Sequence, residues 1–106
     1  MEKYIQITTT TTSRRNAEKI AETLVKKRLA ACVQIIGPIK SVYWWKEKIE
    51  KTEEWLCVIK TTKELYSSLE KAILEAHTYD VPEILAVPVV EGSKNYLLWI
   101  DSELKG

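Results

Sequence analysis

The stretch Ser41–Thr62, SVYWWKEKIEKTEEWLCVIKTT, decides the fold, because it reads as strand, polar tip and strand. Val42, Tyr43, Trp44 and Trp45 are β-branched or aromatic, and Ile49 to Lys60 returns to strand character, ending in the apolar WLCVIK. Such side chains suit a pleated, half-buried surface. Lys46-Glu47-Lys48 between the two runs predicts a hairpin connection.

Upstream, LAACVQII (Leu29–Ile36) begins the first arm, and Gly37-Pro38 predicts a bend, a bulge or a change of partner before Ile39. Lys3 to about Thr10 predicts a first strand, with Tyr4, Gln6, Thr8 and Thr10 alternating with Ile5, Ile7 and Thr9. Ser13 is a good N-cap for a helix in which Ala17, Ile20, Ala21, Leu24 and Val25 recur at helical spacing. That helix is expected to end near Arg28 or Leu29, with the basic cluster Lys26-Lys27-Arg28 complementing its dipole.

Downstream, Thr61 and Glu64 stand at capping-box spacing before a helix with Leu65, Leu69, Ala72, Ile73 and Ala76 on one face. His77–Glu83, HTYDVPE, reads as a loop because Pro82 disfavours helix at Val81. Ile84 to Val90 predicts a fourth strand, which Pro88 pushes towards an edge or a bulge. After the turn at Glu91-Gly92, Ser93 caps a short helix carrying Tyr96, Leu97, Trp99, Ile100 and Leu104. The order β-α-β-β-α-β plus a helix predicts an α+β, ferredoxin-like split βαβ sandwich with a long β2–β3 hairpin and a C-terminal helix.

The chain has 106 residues, which predicts one domain over residues 1–106. With 45% hydrophobic and 29% charged residues it is too apolar for disorder and too charged for a membrane span. A formal net charge of +1 and interleaved lysine and glutamate argue against nucleic acid as a partner. No signal peptide is visible, so a cytoplasmic location is expected, with Cys32 and Cys57 as free thiols.

The hairpin arms are long for so small a domain. About 12 residues at roughly 3.3 Å each reach roughly 40 Å, whereas a body of this size is about 34 Å across. The hairpin should therefore protrude unless it bends at Gly37-Pro38. Its aromatics, Tyr43, Trp44, Trp45 and Trp55, are candidate oligomer contacts, because exposed aromatics on a sheet edge invite pairing with another chain. The competing expectation is that they fold back on the chain's own sheet.

The segments LVKKRLAACVQI, SVYWWKEKIEKTEEWLCVIKTT, HTYDVPEILAVPV and NYLLWI, in this order and spacing, resemble the CutA family of divalent-cation tolerance proteins, from Tyr4 to about Leu104. The resemblance implies a ferredoxin-like subunit in a homotrimer with hairpins crossing between neighbours, an architecture similar to that of the PII signalling proteins. It also implies tolerance of divalent cations, copper above all, and no established enzymatic reaction. Family members discussed as copper ligands carry a cysteine on the first strand and two adjacent histidines. Here the strand position is Thr9, and the pair is reduced to Ala76-His77.

His77 is the only imidazole, and neutral imidazole ligates copper and zinc. One histidine needs two or three further ligands. Asp80 and Glu83 in the same loop and the Cys32 thiol are the candidates, giving an expectation of weak Cu(II) binding that depends on His77 and not on Cys57. The alternatives are a histidine that meets the helix dipole and a cysteine that is simply core. Lys60 and Tyr79 would join His77 and Glu83 in a polar cleft for a small anion or metal complex if they converge, and a small-anion enzyme using Lys60, His77 and Glu83 is the alternative that such a cleft keeps open.

No Gly-rich phosphate loop, Ser-His-Asp order or metalloprotease helix occurs, so no enzyme is expected. Two other functions of this fold are disfavoured. WLCVIK does not fit an RNA-binding third strand, and the loop carrying Arg14 and Arg15 lacks the glycine of an acylphosphatase-like anion loop.

Overall fold

The computed structural model describes residues 3–105. Alternation of period two at the N-terminus gives β1 (Tyr4–Thr11), with Ile5, Ile7, Thr9 and Thr11 buried and the residues between them half-buried, apart from Thr10, which is also buried. Ser13 then caps α1 (Arg14–Lys26), its hydroxyl accepting from the Asn16 N–H, and Ala17, Ile20 and Leu24 face inwards. The helix ends as Arg28 takes φ 60°, which lets the Leu29 and Ala30 N–H groups reach back to the Leu24 carbonyl.

Next come β2 (Cys32–Trp45) and β3 (Lys48–Thr62), paired antiparallel along the hairpin from its tip to Cys32 and Lys60. A 3₁₀ turn (Lys63–Leu65) leads into α2 (Tyr66–Ala76), followed by β4 (Leu85–Pro88) and α3 (Lys94–Glu103). The sheet order is β2-β3-β1-β4, with every pairing antiparallel. This is the expected α+β, ferredoxin-like fold with a long hairpin and a C-terminal helix. β4 is an edge strand, as Pro88 requires.

Helices α1 and α2 cover one face of the sheet. Ile7, Ile20, Leu24, Cys57, Ile59, Leu69 and Ile73 form its dry core. The other face carries Gln6 and Thr8 from β1, Gln34 and Ile36 from β2, and Leu56, Val58 and Lys60 from β3. Among the described residues α3 approaches that face at one end, and the loop after α2 approaches it at the other, where Glu83 meets Thr8. The helix is tied in place by the Tyr4 hydroxyl donating to Asp101, by Lys3–Asp101 at 3.0 Å and by Arg28–Glu103 at 2.8 Å. The Tyr4 hydroxyl and the Lys3 ammonium hold the Asp101 carboxyl below its ordinary range. These ion pairs are exposed and contribute little energy; they fix where α3 lies.

The expected capping box does not form. Thr61 shares the parity of Cys57 and Ile59, so its side chain points into the core, where its hydroxyl must find a partner. It donates to the Leu29 carbonyl at 2.7 Å instead of capping the helix. Thr62, which precedes the 3₁₀ turn, makes no side-chain cap bond.

The bend at Gly37-Pro38 is a bulge. Ile36 pairs with Leu56 and Ile39 with Glu54, so two residues of β2 stand against Trp55 alone. Beyond it the hairpin runs past the body, and the molecule measures 44 × 26 × 22 Å. Trp55 does not belong with the protruding aromatics. It is half-buried at the base of the hairpin, packed against the core and lying over Gly37.

A Cβ on Gly37 would stand 2.7 Å from Trp55 Cγ and 2.9 Å from its Nε1. Gly37→Ala should therefore displace the indole and cost about 1–3 kcal/mol, as overpacking does, read as a lower urea midpoint with Trp55 fluorescence shifted. An unchanged midpoint would show that the ring yields freely. At the tip, Lys46 and Glu47 hold φ of 49° and 65°, the geometry of a two-residue primed turn built without glycine. Glu47→Gly should remove left-handed strain worth about 1 kcal/mol and raise the thermal midpoint. A lower midpoint would mean that the lost Glu47 side chain or the added chain entropy outweighs that strain.

Candidate functional site

The loop after α2 is held to the sheet by three side chains. His77 ends the helix, its N–H donating to the Ile73 carbonyl at 2.8 Å. Its Nε2 lies 2.7 Å from the Thr10 carbonyl oxygen, and its Nδ1 lies 3.0 Å from the Tyr79 backbone nitrogen. A carbonyl only accepts and a backbone N–H only donates. The ring is therefore the Nε2–H tautomer, with both nitrogens engaged.

Two residues on, the Tyr79 hydroxyl donates to Glu54 Oε2 at 2.6 Å. Glu54 is 5% exposed and forms no ion pair among the described residues, so Tyr79 is its one hydrogen-bonded partner there. Burial, and then the Glu54 carboxylate, push the Tyr79 phenol well above its ordinary value, so it stays a donor at any physiological pH. Further along, Glu83 accepts from the Thr8 hydroxyl at 3.1 Å.

These contacts wall a cavity of about 680 Å³ between the loop and the hairpin, reaching from Glu54 near the hairpin's base to Trp45 beside its tip. Tyr43 and Trp45 line it from β2, Thr10 from β1 and Glu54 from β3; Tyr79, Asp80 and Glu83 line it from the loop. Three of the lining residues are acids, and none is a lysine, arginine or histidine. The volume falls within the usual range for small-molecule sites.

Of the residues singled out from the sequence, Tyr79, Asp80 and Glu83 meet at this cavity with the hairpin's Tyr43 and Trp45, and His77 stands behind them tying the loop to β1. Lys60 does not join them. It pairs across from Gln6 and Cys32, four residues of β3 away from Leu56, which stands opposite Thr10. Its ammonium donates to Gln34 Oε1 at 2.7 Å. Cys32 lies at that same far end, beside Tyr96. Sequence reading missed Glu54, Thr10 and Thr8. The only signal was the parity of Glu54 with Leu56 and Val58, a carboxylate on a face otherwise apolar at that point.

The side chains present do not make a His77-centred copper site. A histidine ligand presents one nitrogen to the metal and donates from the other, usually to a carbonyl or carboxylate. His77 makes the donation, to Thr10, but the nitrogen left for a metal is taken by the Tyr79 N–H. Thr9, where a cysteine would stand, is fully buried on the helix-covered face. Burial pushes the Cys57 thiol up to about 11, so it is no thiolate donor near neutral pH. Among the described residues, no group of three or more His, Cys, Asp and Glu side chains is arranged to hold a metal ion.

Comparison with known proteins agrees with this geometry over nearly the whole chain. The family model of the CutA1 divalent ion tolerance protein matches residues 5–103. The divalent-cation tolerance protein CutA of Archaeoglobus fulgidus is 40% identical over 105 residues, covering 99% of this chain and 100% of that protein. The chloroplastic protein CutA of Arabidopsis thaliana is 38% identical, over 95% of this chain and 56% of that protein. This chain thus spans about half the length of the plant relative. The solved structure of the divalent cation tolerance protein from Thermus thermophilus superposes with a TM-score of 0.94 at 35% identity, covering 96% of this chain and 99% of that one. CutA1 from a psychrotrophic Shewanella species gives a TM-score of 0.96 at 34% identity, over 99% and 98% of the two chains. On these grounds the chain belongs to the CutA1 divalent ion tolerance protein family.

Proposed function

We propose that this one-domain chain works as a non-catalytic homotrimer in the response to divalent cations, with the cleft between hairpin and loop as its ligand-sensing element. The observation that carries the reading is the apolar surface a single chain leaves uncovered. On the sheet face away from α1 and α2, Ile36, Leu85 and Val87 are exposed beside Leu56 and Val58, and the hairpin adds Val42, Trp44 and Ile49. Trp44 is 71% exposed. These side chains leave an apolar face without cover among the described residues, and a second copy of the same chain is the economical cover. The uncovered face calls for more than one copy, and the number three follows from the family resemblance.

Tyr43, Trp44 and Trp45 are the proposed interface anchors, with Trp55 supporting them from inside its own subunit. Any direct cation contact falls on the oxygens of Asp80 and Glu83 at the mouth of the cleft. The acidic lining supports a cationic ligand or a cation-bridged one over a free anion. We place the protein in the cytoplasm, consistent with two unpaired cysteines, although one relative is named as chloroplastic and one solved structure as periplasmic. The second reading, an assembly or signalling trimer similar to PII proteins in which metal is incidental, draws on the His77 geometry.

Light scattering across a dilution series should give three times the 12.2 kDa chain mass down to submicromolar concentration, with dissociation and unfolding coinciding. A folded monomer at micromolar concentration overturns the oligomer. Within the cleft, Tyr79→Phe leaves the buried Glu54 carboxylate without its donor and should cost about 1.5–3 kcal/mol of stability. Glu54→Gln, which keeps an acceptor oxygen, should cost less. Chemical denaturation of both variants checks the order, and equal losses would show that the hydrogen bond is not what holds the loop.

A further inference from the structure

We infer that His77 in this chain is a positioning residue that holds Tyr79 against Glu54, and that the histidine-centred metal site implied by its family is not built here. The inference rests on the reading of the cleft as the functional element. It goes further by saying which side chain shapes that cleft and by removing the one imidazole from the list of metal ligands.

β1 and the loop are 67 positions apart in sequence where His77 bridges them, through Nε2–H to the Thr10 carbonyl. Thr10 is the β1 residue that faces the cavity. The same ring accepts the Tyr79 N–H, a bond two residues along the chain that turns the backbone sharply after α2. The two rings then lie 4.9 Å apart between centroids at 42°. With its backbone fixed by Nδ1 and its ring packed on the imidazole, the Tyr79 side chain is aimed across the cavity floor at Glu54, where it makes the 2.6 Å bond.

A metal ion at Nδ1 would have to displace the Tyr79 N–H, and one at Nε2 would have to displace the Thr10 carbonyl. Either change frees the loop that forms the cleft wall. Ligation by His77 and the observed cleft are therefore alternatives. A metal would also need partners within reach of the ring. Asp80 and Glu83 are in the loop, but Glu83 is turned to Thr8, and Cys32 lies at the other end of the sheet. The unfilled positions of the family's ligand set, Thr9 and Ala76, offer a buried hydroxyl and a methyl group. The role assigned to His77 needs no missing atom, since both of its nitrogens are already used.

As the only histidine, His77 gives the only imidazole signals in an ¹⁵N spectrum of the full chain. At about pH 8, above the ordinary imidazole range, the spectrum should show the Nε2–H tautomer, with a slowly exchanging ring proton. One equivalent of Zn(II) should leave both ring nitrogens unmoved, and Cu(II) should bind the parent and His77→Ala with affinities within about twofold of each other, since one shared ligand lost would cost far more. Hydrogen exchange of the Tyr79 N–H should be about tenfold or more faster in His77→Ala. His77→Asn, whose side-chain oxygen can accept the same bond, should restore most of the protection. A merely structural contact elsewhere on the ring would not give that rescue. An Nδ1–H tautomer, a zinc-induced shift of either ring nitrogen, nitrogen hyperfine structure in the Cu(II) resonance that is lost in His77→Ala, or unchanged Tyr79 exchange in that variant would each overturn the inference. A monomeric protein would count against the oligomeric reading alone, since the tautomer and zinc measurements stand in either state.

Discussion

The fifteen residues of β3 are paired from the hairpin tip to the last turn before α2, but the chain provides a body beneath only part of that length. The half that includes Cys57, Ile59 and Thr61 has β1 beside it and helices below, and those three side chains are fully buried. The half from Lys48 to Glu53 has only β2 beside it and no helix against it. A two-stranded ribbon is marginal in water without something to pack on. This one nonetheless stays a regular ladder to the Trp45–Lys48 pair, with Val42, Trp44 and Ile49 left exposed on it. The bulge at Gly37-Pro38 marks where the two regimes meet. Trp55 covers the single gap that the bulge opens, which is why an aromatic from the hairpin's own strand serves the subunit's interior.

The cleft sits at that same boundary, where β1 and α2 have run out of regular partners and the β2–β3 ladder has just been interrupted. β1 ends its pairing with β3 at Thr11, opposite Trp55. β2 has just passed its bulge, and α2 has ended at Ala76. Backbone groups at such junctions must be satisfied by side chains. Here His77 takes the Thr10 carbonyl and the Tyr79 N–H, and Thr11 Oγ1 donates to the Ser13 carbonyl at 2.7 Å. Structural hydrogen bonding and site formation are thus one process, and the buried Glu54 carboxylate is tolerable because Tyr79 reaches it.

Most of the fold was legible because its signals are local. Ser13 caps α1 and Ser93 caps α3 through hydroxyls that accept from residues three positions on. The period-two pattern of Tyr4–Thr11 and the helical spacing of Leu65, Leu69, Ala72 and Ile73 need no tertiary information. Thr61 shows the limit: its spacing to Glu64 suggests a cap, but Thr61 is still part of the β1–β3 ladder, whose parity turns it into the core, where the Leu29 carbonyl satisfies its hydroxyl. The site was less legible for a related reason. Tyr79 meets Glu54 across 25 positions and His77 meets Thr10 across 67, and nothing in either neighbourhood encodes the pairing. Lys60 and His77 each stand near the end of an element, yet the register sets Lys60 opposite Gln6 while His77 bonds to Thr10, further along the same strand.

The run of threonines in β1 shows how closely the strand's two faces divide the labour. Thr8 and Thr10 point towards the open face, where one hydroxyl holds Glu83 and the residue next to it in parity lines the cavity. Thr9 and Thr11 point into the core. Thr11 finds the Ser13 carbonyl, but Thr9 Oγ1 is buried with no partner among the described residues. A valine at position 9 would pack the same volume without stranding a hydroxyl, so threonine there is not explained by stability. Nor does the cleft explain it, since the side chain faces away. The position at which the family resemblance sets a cysteine thus holds, in this chain, a side chain of similar size that neither ligates nor bonds. His77 is engaged at both nitrogens, one of them with the carbonyl of the very next strand residue, Thr10. The ferredoxin-like frame is intact, while two positions that the resemblance sets as ligands hold Thr9 and Ala76 in this chain. The fold alone therefore cannot carry a family's chemistry from one member to the next.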